Sequence, residues 1–388
     1  LGVAVMFLTV GIVMGFKHEI IRKITGLTTH IVVSNVSRGA GNEPEPVTIS
    51  EDTLRMLREL PYVKHIQKTA FKNGLLKTEE ENEGILLKGV ERSYDFSYLK
   101  QHLREGRLPE FSDEEASRDI LISEALSRRM GLSLNDKMQV YFISRRELYD
   151  SLSKQTVIKS EMRSRRFSVC GIFKTNFADF DDKLSLVDIR QVRQISNWDQ
   201  QMTGNFEIQL SDFSRLEEVQ EEIEDLLGYS YDVSNVTELY ANIFIWLDKL
   251  DINGVIIIVL MVLVAVVNMI TALLILILER TNMVGLMKTL GMSNAGVRRI
   301  FLHISFRLIG KGLLWGNLIG LSLCLLQYHF KWVSLDSATY YVEHVVVELN
   351  YGYFLLLNAG TLLVCFLMLL LPTLLLTRLT PVKTLRFD

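Results

Sequence analysis

The residues of this 388-residue chain that could make or break bonds are few and scattered. The only Gly-Lys pair, Gly310-Lys311, lies in an apolar segment and lacks the spacing of a phosphate-binding loop, where backbone amides and a lysine together cradle phosphate oxygens. There is no His-Glu-x-x-His and no Gly-x-Ser-x-Gly, and no nucleophile stands beside a convincing base. The seven histidines are dispersed and read as surface or packing residues. Cys170, Cys324 and Cys365 are far apart, which excludes a disulfide framework and a metal-ligand spacing. No catalytic group, cofactor or metal is expected of the chain itself. What remains is the chemistry of surfaces that meet other molecules.

Three such surfaces can be read. In residues 279–301, ERTNMVGLMKTLGMSNAGVRRIF, the side chains Met283, Leu286, Met287 and Leu290 recur at i, i+3, i+4 and i+7. This spacing predicts a short amphipathic helix that Glu279 precedes and that carries Lys288. Gly291 suits its left-handed stop, and Ser293 can cap the next helix. Such a helix lies on a lipid surface or docks into a groove of a soluble partner, and methionine-rich faces suit adaptable docking. The second surface, Ser144–Arg166, contains Arg145, Arg146, Lys154, Lys159, Arg163 and Arg165, and in all seven cations against three acids. It separates two strand candidates and is long for a hairpin connection, so it is expected to be either a functional loop or a solvated charged one. The third is the cavity that apolar helices and an external domain must enclose, with Phe244, Trp246, Leu247 and Leu250 at its mouth. Those four serve equally as interfacial anchors.

The elements that hold these surfaces follow from hydropathy. Mean hydropathy is +0.21 although 22% of residues are charged, and the apolar residues are concentrated. Residues 252–278 and 351–377 are each 27 long without Asp, Glu, Lys or Arg, enough to cross a bilayer with some tilt. A purely soluble enzyme, a nucleic-acid binder and a disordered chain are thereby excluded. A third span is expected over 300–328, with Arg307 and Lys311 one helical turn apart and reaching to the nearer interface. The run Leu1–Phe16 is too short for a full span and is expected to be the second half of one. Small residues every four positions, at Gly11 and Gly15 and at Gly312, Gly316 and Gly320, would let another helix come close.

Loop charges set the orientation. Arg280, Lys288, Arg298 and Arg299 oppose one acid in 279–303, and the tail 378–388 is also basic, whereas 329–350 is acidic. The positive-inside rule then puts 279–303 and the tail in the cytoplasm, and residues 17–250 outside. The outer region mixes strands (about 30–35, 62–69, 71–78, 83–90, 119–123, 137–143, 167–173 and 206–210) with helices starting at Ser50, Glu124 and Leu216, without βαβ regularity. This predicts an α+β domain of two subdomains between the first and second of four membrane helices.

At this point the chain resembles the MacB/FtsX-type (type VII) ABC permeases, and within them the lipoprotein-releasing permeases of the Lol system. The residues that carry the resemblance are Gly15-Phe16-Lys17-x-Glu19-Ile20, the module DILISEALSRRMGLSLNDKMQVYFI, Asn268-Met-Ile-Thr followed by LERTNMVGLMKTLGMSNAGVRRIF, and the tail TPVKTLRFD. It covers essentially the whole chain. It implies that Glu279, Met283, Leu286, Met287, Lys288 and Leu290 form a coupling helix on a separate ATPase dimer, which binds ATP and Mg. It implies that Ser144–Arg166 occupies the place of a hook that recruits a periplasmic LolA-like carrier, although the hook sequence matches only loosely. It implies a bacterial inner-membrane location, a second permease copy or paralogue, and lipoprotein cargo, whose acyl chains are expected near Phe244, Trp246, Leu247 and Leu250. The expected division is 1–28, the first membrane helix; 29–110 with 205–240, a first MacB-like subdomain; 111–204, an inserted one; 241–278, the second membrane helix; 279–299, the coupling loop; then 300–328, 329–350, 351–377 and 378–388. An efflux permease for peptides or small molecules, and an FtsX-like regulator of a cell-wall hydrolase, are the alternatives.

Overall fold

The computed structural model describes residues 2–36, 45–78, 81–150 and 155–375. In chain order the elements are α1 (Gly2–Leu27), β1 (Ile31–Asn35), α2 (Glu51–Glu59), β2 (Val63–Lys77), β3 (Asn82–Val90), α3 (Ser97–His102), β4 (Leu103–Gly106), β5 (Asp119–Ser123) and α4 (Glu124–Met130). There follow β6 (Lys137–Asp150), β7 (Gln155–Phe173), α5 (Ala178–Asp181), β8 (Leu184–Asp188), α6 (Ile189–Ser196), β9 (Asn205–Leu210), α7 (Leu216–Leu227), β10 (Tyr231–Asn235) and α8 (Val236–Leu239). The last are α9 (Ala241–Glu279), α10 (Thr281–Thr289), α11 (Asn294–Phe330), α12 (Ser337–Tyr340) and α13 (Tyr351–Leu375). The chain divides into two units, one of residues 20–244 with 336–342, the other of 1–19, 245–335 and 343–388.

The first unit is built on one sheet in the order β10-β1-β9-β2-β3-β8-β5-β7-β4, with β6 beside β2 and β7. Its local structure follows its residues closely. Ser50 accepts a hydrogen bond from the Thr53 amide at 3.1 Å and starts α2, which buries Leu54 and Leu57. Ser123 caps α4 in the same way, and Gly131 ends it at φ +62°. The two strands expected at 62–69 and 71–78 are one strand, β2, because no turn residue separates them. The parallel pairing of β3 with β8 joins the region before residue 110 to the region after it. Residues 336–342, read from sequence as part of a plain connection, belong to this unit. Tyr341 stacks on Phe177 with ring centroids 4.7 Å apart, and Lys23 Nζ donates to the Tyr341 carbonyl at 2.9 Å.

The second unit contains α11, α13 and most of α1 and α9, and these four helices are each long and apolar enough to cross a membrane. Leu273, Ile277, Val284, Val297, Phe301, Ile309 and Cys365 form one buried cluster. Asn317 on α11 and Asn358 on α13 share a hydrogen bond of 2.7 Å, the kind of polar contact that fixes helix pairs in lipid. The small-residue stripes work differently from the sequence expectation. A side-chain carbon on Gly316 or Gly320 would lie 3.0–3.1 Å from Val3 or Ala4, so these two do admit α1. Gly312 has open space beside it and packs nothing. At Gly15 the close neighbour is the backbone of Val346 and Glu348, at 2.7–2.8 Å from such a carbon, and the Glu348 amide donates to the Gly11 carbonyl. An extended segment rather than a helix lies against Gly11 and Gly15, because main chain without a helical side-chain sheath comes closest of all.

Candidate partner-docking surfaces

The 279–301 segment forms α10, a helix of nine residues between α9 and α11. Leu290 closes it with an amide donated to the Leu286 carbonyl, Gly291 takes φ +90°, and the Ser293 hydroxyl accepts from the Gly296 amide to start α11. The packed residue is Val284, 1% exposed, which sequence reading did not single out. With Val284 turned inward, the expected four-residue stripe splits. Leu286 is 59% and Leu290 80% exposed, whereas Met283, Met287 and Lys288 are half-buried, and Glu279 is exposed at the end of α9. The result is a ridge of Leu286 and Leu290 turned outward on a helix held from behind. It can enter an apolar groove without rearranging the helix that carries it.

The described part of the basic segment is strand. Residues 144–150 and 155–166 continue β6 and β7 as the arms of one antiparallel hairpin, in register down to Asp150 opposite Gln155. A ladder of backbone hydrogen bonds can run on through a charged segment because it uses main-chain groups alone. Arg145, Arg146 and Lys159 are described as backbone only, and Lys154 lies outside the described residues. Arg163 is half-buried and donates to Asn197 Oδ1 at 2.8 Å and to the Ile195 carbonyl at 3.3 Å. It therefore braces the end of α6 rather than standing free for a carrier. Arg165 is half-buried as well. An apolar pair that charge counting missed sits on the same hairpin: Ile143 and Met162 face each other across the ladder, 62% and 74% exposed.

The four expected cargo residues part company. Leu247 is buried at 1% exposure, and Phe244 stacks on Phe213 with centroids 6.4 Å apart. Trp246 meets the Phe16 ring edge-on at 5.5 Å, and Leu250 is half-buried. These are packing roles. The exposed apolar residues near them are Ile245 and Ile252.

A further site was invisible in the sequence. Lys88, in the apolar strand β3, is 1% exposed and pairs with Glu207 of β9, itself 2% exposed, at 2.8 Å. Gln67 and Thr69 on β2 donate to the same carboxylate at 2.9 and 3.0 Å. The Lys88 ammonium also donates to the carbonyl of Leu27, the last residue of α1, at 2.9 Å, where a cation suits the negative end of a helix. Tyr94 and Phe71 offer their ring faces to it at 5.0 and 5.6 Å. Burial alone would pull the Lys88 ammonium down, but the Glu207 charge and Tyr94 outweigh it, and the net direction is up. Burial pushes the Tyr94 hydroxyl up too. The end of α1 is thus held by a charge that stays ionised, not by apolar contact alone.

The model of the MacB-like periplasmic core domain matches residues 1–226, and that of the FtsX-like permease C-terminal region matches residues 255–381. The chain is 23% identical over 399 residues to the lipoprotein-releasing system transmembrane protein LolC of Xylella fastidiosa (strain Temecula1), covering 100% of this chain and 92% of that protein. It is 21% identical over 375 residues to the lipoprotein-releasing system transmembrane protein LolE of Haemophilus influenzae, covering 90% and 83%. A solved structure of the periplasmic region of MacB from Actinobacillus actinomycetemcomitans covers 57% of this chain and 95% of that one, at 15% identity and a TM-score of 0.36. The chain therefore belongs to the family of multi-pass membrane proteins that join a MacB-like periplasmic core domain to an FtsX-like permease region.

Proposed function

We propose that this chain is a permease subunit of an ABC transporter that takes lipoproteins from the outer leaflet of a bacterial inner membrane and hands them to a periplasmic LolA-like carrier. The observation that carries this reading is the similarity to a lipoprotein-releasing transmembrane protein along the whole chain. In this reading α10 is the coupling helix, and its Leu286 and Leu290 ridge enters a groove of a partner ATPase dimer that binds ATP and Mg. Residues 20–244 face the periplasm between the first two of four spans, as two subdomains, 29–110 with 205–240 and the inserted 111–204. The β6–β7 arms form the hook, and a second permease copy or a paralogue completes the pore.

The mechanism is transmission of movement. Closure of the ATPase shifts α10, and α9 carries the shift as one unbroken helix from Glu279 back to Ala241. At the far end of α1, Lys88 ties the helix terminus to three strands, so movement of α1 reaches the sheet rather than fading in a loose joint. Acyl chains of the cargo lie on the exposed apolar face of α9 that includes Ile245 and Ile252. Removing them from lipid costs about 0.8 kcal/mol per CH₂, which is why ATP must drive the step. The test is reconstitution of the chain with its ATPase, a lipoprotein and the carrier. ATP-dependent transfer is expected, and deletion of residues 145–165 should abolish transfer while ATPase activity persists. Release of a small molecule or activation of a hydrolase, with no lipoprotein transfer, would overturn the reading.

A further inference from the structure

The second unit holds a groove that no part of the transport mechanism uses. It is a cavity of about 210 Å³ between α9 and α11, floored by Ala272, Leu273, Leu276 and the small Ser305, with Arg307 and Lys311 in its wall. Leu273 and Ser305 are buried, while both cations are exposed. Neither cation has an ion-pair partner among the described residues. None is to be had from neighbouring helices: α10, α11 and α13 contain no acid, and between Ile252 and Leu335 the one acid is Glu279.

The depth of the groove follows from the sequence. After Lys311 no charged residue occurs until Lys331, so Gly312–Phe330 is an uncharged stretch of 19 residues. At 1.5 Å per residue this is about 28 Å, the thickness of the hydrocarbon core. Arg307 and Lys311 therefore stand at the headgroup level, on the side that carries Arg280, Lys288, Arg298 and Arg299. The apolar floor on α9 lies beside them, open to lipid. A helix, 10–12 Å across, is too wide for a cavity of this volume, whereas an acyl chain is not.

We propose that this groove seats one anionic phospholipid, with its phosphate between Arg307 and Lys311 and the upper part of one acyl chain against Ala272, Leu273 and Leu276. Two fixed cations at a membrane surface together favour an anionic lipid by roughly thirtyfold. A dedicated acyl seat beside the charge distinguishes this site from diffuse attraction.

The experiment uses the full chain, reconstituted in vesicles of equal parts phosphatidylglycerol and phosphatidylcholine, extracted mildly and analysed for retained lipid by native mass spectrometry. Retention of phosphatidylglycerol in roughly thirtyfold excess is expected. Arg307→Gln with Lys311→Gln should bring the two lipids to parity, and Ala272→Phe, which fills the floor and keeps both cations, should lower phosphatidylglycerol retention as well. Arg298→Gln with Arg299→Gln should leave the excess in place. Parity in the unaltered chain, or an excess that survives loss of both cations, would overturn the proposal. An excess untouched by Ala272→Phe would overturn it too, since the cations would then be attracting charge without a seat, as they would attract free phosphate. Helicity by circular dichroism checks that each variant is folded.

Discussion

Lys88 and Glu207 face each other at 2.8 Å from different strands, both almost wholly buried, and Lys88 at the same time closes the end of α1. A buried pair of this kind is costly to break from one side, because the remaining charge has neither water nor partner. Lys88→Met is expected to destabilise the protein by about 3–5 kcal/mol, and adding Glu207→Leu should recover much of that loss. Denaturant unfolding of the two variants checks it. The pairing also predicts a separation of effects, in which the double variant folds yet transmits poorly, because the Leu27 carbonyl has lost its charged donor and keeps only the Tyr94 hydroxyl at 3.4 Å.

His30 gives a pH dependence of definite sign. Its Nδ1 accepts the Leu210 amide at 2.9 Å, and burial, helped by the charge of Lys64, pulls the ring down from 6.5 to about 4. The folded protein thus binds this proton less readily than the unfolded chain. The stability it confers is complete above about pH 6.5 and is lost as pH falls towards 4, by at most about 3 kcal/mol. His30→Asn keeps an acceptor without a proton to gain, and its unfolding free energy should fall less over that window.

On α10, adjacent roles should separate. Leu286→Asp changes an exposed residue and should leave stability within about 0.5 kcal/mol while abolishing binding of the ATPase. Val284→Ala opens the buried cluster behind the helix and should cost about 2 kcal/mol. Thermal unfolding and co-purification of the ATPase distinguish them. If Leu286→Asp leaves the ATPase bound and coupled, α10 is not the docking helix.

Gly15 and Gly312 are predicted to differ although both lie in four-residue glycine repeats. Gly15→Ala drives a carbon against the Glu348 and Val346 backbone and should cost about 1–3 kcal/mol, whereas Gly312→Ala meets nothing and should be neutral or slightly stabilising. Thermal melting in detergent reads the contrast.

These cases show where sequence reasoning stopped. Patterns that depend on neighbours along the chain were legible: the caps at Ser50 and Ser293, the left-handed Gly291, the apolar runs. What required the far side of the fold was not. Val284 and Leu286 are indistinguishable by hydropathy, and only the cluster around Phe301 decides which turns inward. Leu247 looked available, yet it is buried, which its own hydropathy does not reveal. Lys88 carried no signal, since a lysine in a strand is ordinarily solvated. The extent of the β6–β7 ladder was hidden because its charged residues suggest a loop, although backbone pairing does not depend on them.

The seven residues 336–342 have a consequence for how the molecule comes to be. They complete the first unit by covering Phe177 and receiving Lys23, yet they are synthesised after α9, α10 and α11. The domain cannot reach its final form while it is the newest part of a growing chain; its last piece arrives only once α11 has been synthesised. A fragment cut at residues 20 and 244 would expose that ring face to water, so an isolated domain meant for study should carry 336–342 spliced back by a linker.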